Sequence, residues 1–186
     1  PESMSKRLKN CISGRIPKVD AVRDLLSRIN PDEIRSIHEE MIDIIKRNRV
    51  FREGTIGGYV VAGLDGVELF SSTKKSCPNC LTRKKLTGET EYFYRSVVCM
   101  IIGKSPHVIL GQEMLKPRDG SGKDEGELTG GKRLIERLKK RHGHFADVIV
   151  ADALYLNAPF INTLKENGLE GVIRLKDERR MIFQDT

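Results

Sequence analysis

The stretch that most constrains this chain is residues 59–70, YVVAGLDGVELF. The almost unbroken apolar run from Tyr59 to Leu64 predicts a strand covered on both faces. Val67, Leu69 and Phe70 continue the apolar character, with Asp65 set in the middle. An ionised carboxylate buried in such a strand costs several kcal/mol unless a partner or a metal compensates. Asp65 is therefore a candidate functional group. The arrangement recurs in residues 147–155, DVIVADALY, where Val148 to Ala151 predict a second short buried strand and Asp152 stands at its end. Two aspartates at the ends of two central strands suit a site that holds Mg²⁺ (or Mn²⁺). Paired ions about 4 Å apart bridge both oxygens of an in-line phosphoryl displacement.

With 186 residues the chain supports one domain of ordinary size, with room for a small extension. Charged residues make up 32% and hydrophobic residues 38%, which argues against a membrane protein. The longest apolar run, residues 97–102, is far too short to span a bilayer. No apolar segment of signal-peptide type opens the sequence. It begins with Pro1 and stops soon after a strand-like segment, so the expectation is a chain clipped at both ends. The net charge of +7 suits a polyanionic partner without defining one. Four cysteines (Cys11, Cys77, Cys80, Cys99) lack the density of a secreted disulfide scaffold, which points to a reducing cytoplasm.

Val19, Val22, Leu25, Leu26 and Ile29 recur at helical spacing and predict a helix over 18–29. Asn30-Pro31-Asp32-Glu33 then supplies an N-cap, a proline in the first turn and early acids. The stripe Ile34, Ile37, His38, Met41, Ile42 and Ile45 carries a second helix to about Asn48, with His38 read as a core residue. Lys46, Arg47, Arg49 and Arg52 close this helical segment and complement its dipole. Residues 53–58, EGTIGG, read as a hinge. The expected division is thus a helical segment at 1–53 and an α/β core at 54–186.

Residues 71–88, SSTKKSCPNCLTRKKLTG, hold Lys74, Lys75, Arg83, Lys84 and Lys85 and no acid. They predict an exposed hairpin that contacts DNA phosphates without reading sequence. Cys77 and Cys80 have the C-x-x-C spacing of half a zinc site, and a tetrahedral site needs two further ligands. Cys99, His107, His142 and His144 form no second pair, so the expectation is a C-x-x-C without zinc. Strands are predicted over 92–102 and 108–115. A loop at 117–123 follows, which lacks P-loop spacing, and then a helix over 124–141 with acids first and bases last. After the strand ending at Asp152, Asn157 N-caps a helix with Pro159 in its first turn, Gly168 ends it, and 171–176 form a fifth strand.

Three consecutive strands, then helix, strand, helix, strand, with acids on the first and fourth strands, is the layout of the RNase H-like fold: an α/β protein with a five-stranded mixed sheet. The segments AGLDGVELFSSTKKSCPNC, PRDGSGKDEGEL, VIVADALYLNAPFI and GVIRLKDERR resemble the DDE transposases of bacterial insertion sequences. The resemblance runs from about Pro17 to the end of the chain. It implies metal-dependent cutting and joining of DNA strands, with Asp65 and Asp152 as catalytic Mg²⁺ or Mn²⁺ ligands. It further implies DNA as partner (transposon ends and target), a prokaryotic, nucleoid-associated setting, and is compatible with a homodimer. That family's third acid lies in a Y-x-x-R…E…K signature that this sequence lacks, so the expectation is an incomplete catalytic set: an inactive fragment or a decayed copy. An RNase H-type hydrolase would instead draw its further acid from Asp124, Glu125 or Glu127, with Glu127 as the third-ligand candidate. A non-catalytic DNA- or zinc-binding remnant is the remaining alternative.

Overall fold

The structure, a computed structural model, describes residues 17–53, 55–103, 105, 107–118 and 123–176. Cys11, residues 119–122 of the glycine-rich loop and the charged residues 177–180 lie outside the described residues. The chain divides into two compact units between Glu40 and Met41. This division falls earlier than the glycine-rich hinge at 53–58.

In the first unit lie α1 (Val19–Arg28) and the start of α2 (Pro31–Arg47). Asn30 caps α2 as its chemistry dictates, accepting a 3.0 Å bond from the Asp32 amide. The apolar spacing produced both helices, but Val19, Val22, Leu25, Leu26, Ile34, Ile37 and Met41 are exposed. The expected burial of the stripe begins only at Ile42, which is 1% exposed. His38 is half-buried rather than a core residue.

The second unit is an α/β core with a six-stranded mixed sheet. After α3 (Val50–Glu53) come β1 (Val61–Ser72), β2 (Leu81–Lys84), β3 (Thr90–Ile101), β4 (Ile109–Met114), α4 (Glu127–His142), β5 (Val148–Ala151), α5 (Ala158–Glu166) and β6 (Glu170–Ile173). The sheet runs β2-β3-β1-β5-β6, and β4 pairs with β3 along the same strand as β2 but farther down its length. The extra strand relative to the expected five is β2, formed within the basic hairpin where Leu81 is buried against the core. β1 is antiparallel to β3 and parallel to β5, and β5 is parallel to β6.

Alternation decides which residues enter the core. Val97, Cys99 and Ile101 on β3, and Ala62 and Leu64 on β1, are at most 2% exposed, as are Leu134, Ile135 and Leu138 on α4. Gly130 and Gly131 let α4 approach closely: a Cβ on Gly131 would stand 2.9 Å from Tyr155 Cε1 and 3.4 Å from Leu64 Cδ2. Asn157 caps α5 by accepting from the Phe160 amide at 3.0 Å, with proline in the first turn. Among the described residues no helix is long and apolar enough to cross a membrane.

A polar clamp ties the C-terminal end of α2 to that of α4. Asp43 binds His142 Nδ1 at 2.7 Å and Arg141 Nη1 at 2.7 Å, and Lys46 Nζ donates to the His142 carbonyl. The His142 hydrogen bond, followed by the charges of His142 and Arg141, holds the Asp43 carboxyl below its ordinary value of 3.8 despite some desolvation. A carboxyl more acidic in the folded than in the unfolded chain contributes stability above the unfolded value, and loses it as pH falls through the folded one. Thermal unfolding followed from pH 7 to pH 2 is therefore expected to show a melting temperature that drops below about pH 4. Asp43→Asn should lower that temperature at pH 7 and flatten the acid limb. Parallel acid limbs would remove Asp43 from the account.

Candidate active site

The register of the two central parallel strands builds the site. Leu64 on β1 stands opposite Ala151 on β5. Asp65 and Asp152 therefore follow directly on neighbouring strands, whose spacing is about 4.8 Å. β5 stops at Ala151 because Asp152 turns the chain: its carboxylate accepts from the Leu154 amide at 2.9 Å and caps the 3₁₀ turn Ala153–Tyr155. Asp65 Oδ1 accepts from the Gly66 amide at 2.8 Å. Both aspartates are exposed. The expectation of a buried Asp65 is not met, because cover over β1 ends at Leu64 and water hydrates the acid beyond it.

The third carboxylate is Glu127, the first residue of α4. Its side chain is only 10% exposed and pairs with Arg95 Nη1 at 3.0 Å. It lies against the backbone of Gly66, where a Cβ would collide with Glu127 Oε2. Burial makes the Glu127 carboxyl less acidic than an ordinary glutamate, Arg95 opposes the shift, and the charges of Asp65 and Asp152 add to it. The three acids thus share one electrostatic neighbourhood. Tyr155 borders it. Its ring is fully buried against Phe160, 4.9 Å between centroids, and its hydroxyl has no hydrogen-bond partner among the described residues. Burial, then the charges of Glu127, Asp65 and Asp152, push its phenol well above the usual range.

Glu127 stands apart from the two acids before it. Asp124 accepts from the amides of Thr82 at 2.6 Å and Arg118 at 3.2 Å. Glu125 is buried, accepts from the Lys116 amide at 2.8 Å and is gripped by the Arg133 guanidinium, which also holds Glu113 at 2.8 Å. This network fixes the loop entering α4, and so fixes the turn that carries Glu127.

An all-carboxylate donor set suits a hard divalent cation such as Mg²⁺ or Mn²⁺. Among the described residues, however, no three His, Cys, Asp or Glu side chains converge as a metal centre requires. Glu127 is turned to Arg95 instead. A cation at Asp65 and Asp152 would keep most of its waters until Glu127 exchanged Arg95 for it.

In the basic hairpin, Arg83 is not free for DNA. It binds Glu68 at 2.8 Å and Glu91 at 2.6 Å and lies 4.6 Å over the Phe93 ring. Lys85 pairs with Glu91 at 3.0 Å. Lys74, Lys75 and Lys84 are exposed. Cys77 and Cys80 meet with sulfurs 2.9 Å apart, while Cys99 is fully buried in β3.

The sequence reading missed Arg95, Tyr155 and Gly66. Arg95 carried a signal, as the only charged residue in the run YFYRSVVCMII. Gly66 carried another, as the residue directly after Asp65. Comparison with known protein families, with curated proteins and with solved structures finds no match to this chain.

Proposed function

We propose that this chain is a catalytic core for divalent-cation-dependent phosphoryl transfer on DNA, of the kind found in the DDE transposases that its motifs resemble. The observation that carries the reading is the β1–β5 register, which joins the LDG and VADALY segments, far apart in sequence, beside Glu127. The strand order supports it as well. With β2 set aside as a hairpin, β4-β3-β1-β5-β6, with β1 antiparallel to β3 and parallel to β5, is consistent with an RNase H-like arrangement.

In this reading Asp65 and Asp152 bind the cation directly. Glu127, now paired with Arg95, would be the third residue to hold the cation, and the Arg95 guanidinium would supply positive charge for a phosphodiester. A bound divalent ion supplies charge stabilisation at the phosphoryl oxygens and a water, or strand hydroxyl, acidic enough to attack. The Gly66 backbone keeps Glu127 close, and the Glu125–Arg133 network holds its turn.

A second reading, an RNase H-type hydrolase, is favoured by the origin of Glu127 in the first turn of the helix between β4 and β5. One experiment addresses both. The chain is incubated with Mg²⁺ or Mn²⁺ and either duplex DNA or an RNA–DNA hybrid, beside an Asp152→Ala control. Cleavage of DNA abolished by that substitution supports the first reading, and selective nicking of the hybrid's RNA strand supports the second. No cation-dependent cleavage of either leaves the non-catalytic remnant.

DNA binding is expected to rest on Lys74, Lys75 and Lys84 more than on Arg83 and Lys85, which are already neutralised by carboxylates. Converting the three lysines to alanine should flatten the plot of log affinity against log salt by about 2–3, at about 0.9 for each phosphate no longer neutralised. Arg83→Ala should change that slope by less than the equivalent of one phosphate. An unchanged slope in the triple variant would move the DNA surface away from the hairpin.

A further inference from the structure

Cys77-Pro78-Asn79-Cys80 forms a tight turn, closed by a 3.1 Å hydrogen bond from the Cys80 amide to the Cys77 carbonyl. The first and last Cα atoms of such a turn lie within about 7 Å, inside the span a disulfide bridges. The two sulfurs are already in contact at 2.9 Å. The Tyr94 hydroxyl reaches Cys77 Sγ at 2.5 Å from β3. Two thiols in contact need a role, and zinc is a poor one. Zinc requires four ligands, and among the described residues no third Cys or His joins the pair. His142 is bound to Asp43 and His144 to Asp147.

We infer that Cys77 and Cys80 are a reversible dithiol–disulfide site, in which Cys77 attacks a low-molecular-weight disulfide and Cys80 resolves the product. The asymmetry of the pair supports the assignment of roles. Cys77 is half-buried and Cys80 is 6% exposed, so an external disulfide reaches Cys77 first. Hydrogen bonds from Cys80 and then Tyr94 make the Cys77 thiol more acidic than usual, whereas the bond to Cys77 and burial make Cys80 less so. Tyr94, held by Cys77 and half-buried, stays protonated and serves as the donor to the thiolate.

The chemistry balances without any further reactant. The Cys77 thiolate attacks one sulfur of the external disulfide, forming a mixed disulfide and expelling one thiolate. Cys80 loses its proton to solvent and attacks Cys77 Sγ, breaking the mixed disulfide and expelling the second thiolate. The protein gives up two electrons and two protons, and the external disulfide becomes two thiols. The new bond closes the root of the hairpin between Lys74–Lys75 and β2.

The test uses the whole chain with mixtures of reduced and oxidised glutathione, followed by alkylation, intact-mass measurement and peptide mapping. Cys77 and Cys80 are expected to lose alkylation together, with the mass falling by two hydrogens and returning on reduction. Cys80→Ser should instead accumulate one glutathione on Cys77, and Cys77→Ser should leave Cys80 unmodified. Tyr94→Phe should slow alkylation of reduced Cys77 at pH 7, because the Cys77 thiolate loses a hydrogen-bond donor. The inference is overturned if wild-type protein retains glutathione on either cysteine without closing the bond, or if both thiols stay reduced in fully oxidised glutathione. It is equally overturned if the chain purifies with one zinc that shields both from alkylation.

Discussion

Glu127→Gln is expected to lower cation-dependent strand cleavage by on the order of 10²–10³ while leaving the fold intact. The size follows from the loss of one charged group at the reacting centre, since removing a single electrostatic contact of this kind typically costs on the order of 10²–10³ in rate. The preserved fold follows from the linkage. In the folded chain the Glu127 carboxyl is less acidic than in the unfolded chain, chiefly because it is buried. Its ionised form therefore costs stability at pH values above the folded value, and the cost is absent below the unfolded one. An uncharged glutamine removes that cost, so at pH 7 without added cation the variant should melt no lower than wild type. The same shift sets a pH dependence. A proton on Glu127 competes with the cation, so wild-type Mn²⁺ affinity, measured by calorimetry, should weaken as pH falls toward and below 5. The Glu127→Gln variant should bind more weakly at pH 7 and lose less over that range. Gly66→Ala is the companion test, because its Cβ would collide with Glu127 Oε2. A flexible carboxylate can swing aside, so the fold survives but the acid is displaced. The two variants should therefore share the cleavage defect. Full activity in both would remove Glu127 from the site and require an acid supplied from elsewhere.

The sequence made the elements legible and left their environments open. Apolar spacing in residues 59–64 and 148–151 located β1 and β5, and Asn30, Asn157 and Gly168 marked helix ends, because these signals are local. Asp65 was expected to be buried, but a run of apolar residues reports a strand and not what lies over each part of it. The cover stops at Leu64. The same limit applies to Val19, Val22, Leu25 and Leu26, whose spacing defines a helical face without specifying a partner for it. Among Asp124, Glu125 and Glu127 the sequence put Glu127 forward as the third-ligand candidate but gave no physical ground for the choice, since three acids in four residues all suit a helix start. The difference lies in long-range partners: Thr82 for the first, Arg133 for the second, Arg95 and Gly66 for the third. Arg83 looked like part of a DNA-binding arm because its own segment has no acid. Its partners Glu68 and Glu91 come from β1 and β3, and only strand pairing brings them near.

Gly131→Val is expected to destabilise the folded chain by about 3 kcal/mol, and to weaken cation binding at a site it does not touch. Gly131 sits on the buried face of α4, where even a Cβ would meet Tyr155 Cε1 at 2.9 Å, Leu64 Cδ2 at 3.4 Å and Phe160 Cε2 at 3.6 Å. Tyr155 and Phe160 are fully buried and Leu64 is 2% exposed, so none can swing into solvent. Overpacking of this kind costs about 1–3 kcal/mol, and valine adds two methyl groups beyond the Cβ. Helix propensity opposes it only weakly, because replacing glycine by valine in a helix recovers about 0.4 kcal/mol. The steric term wins. For a chain of this size about 3 kcal/mol corresponds to a fall of about 6–12 °C in melting temperature. Gly131→Ala should fall less, since alanine recovers about 1 kcal/mol of propensity and adds only the Cβ. The remote effect follows from geometry. Glu127 lies four residues earlier on the same helix face, so moving α4 outward carries its carboxylate away from Asp65 and Asp152. Thermal melts and Mn²⁺ titration of the two variants provide the check. A melting temperature for Gly131→Val within about 2 °C of wild type would mean that α4 has room to shift. The close approach of α4 would then not be what holds Glu127 over Gly66.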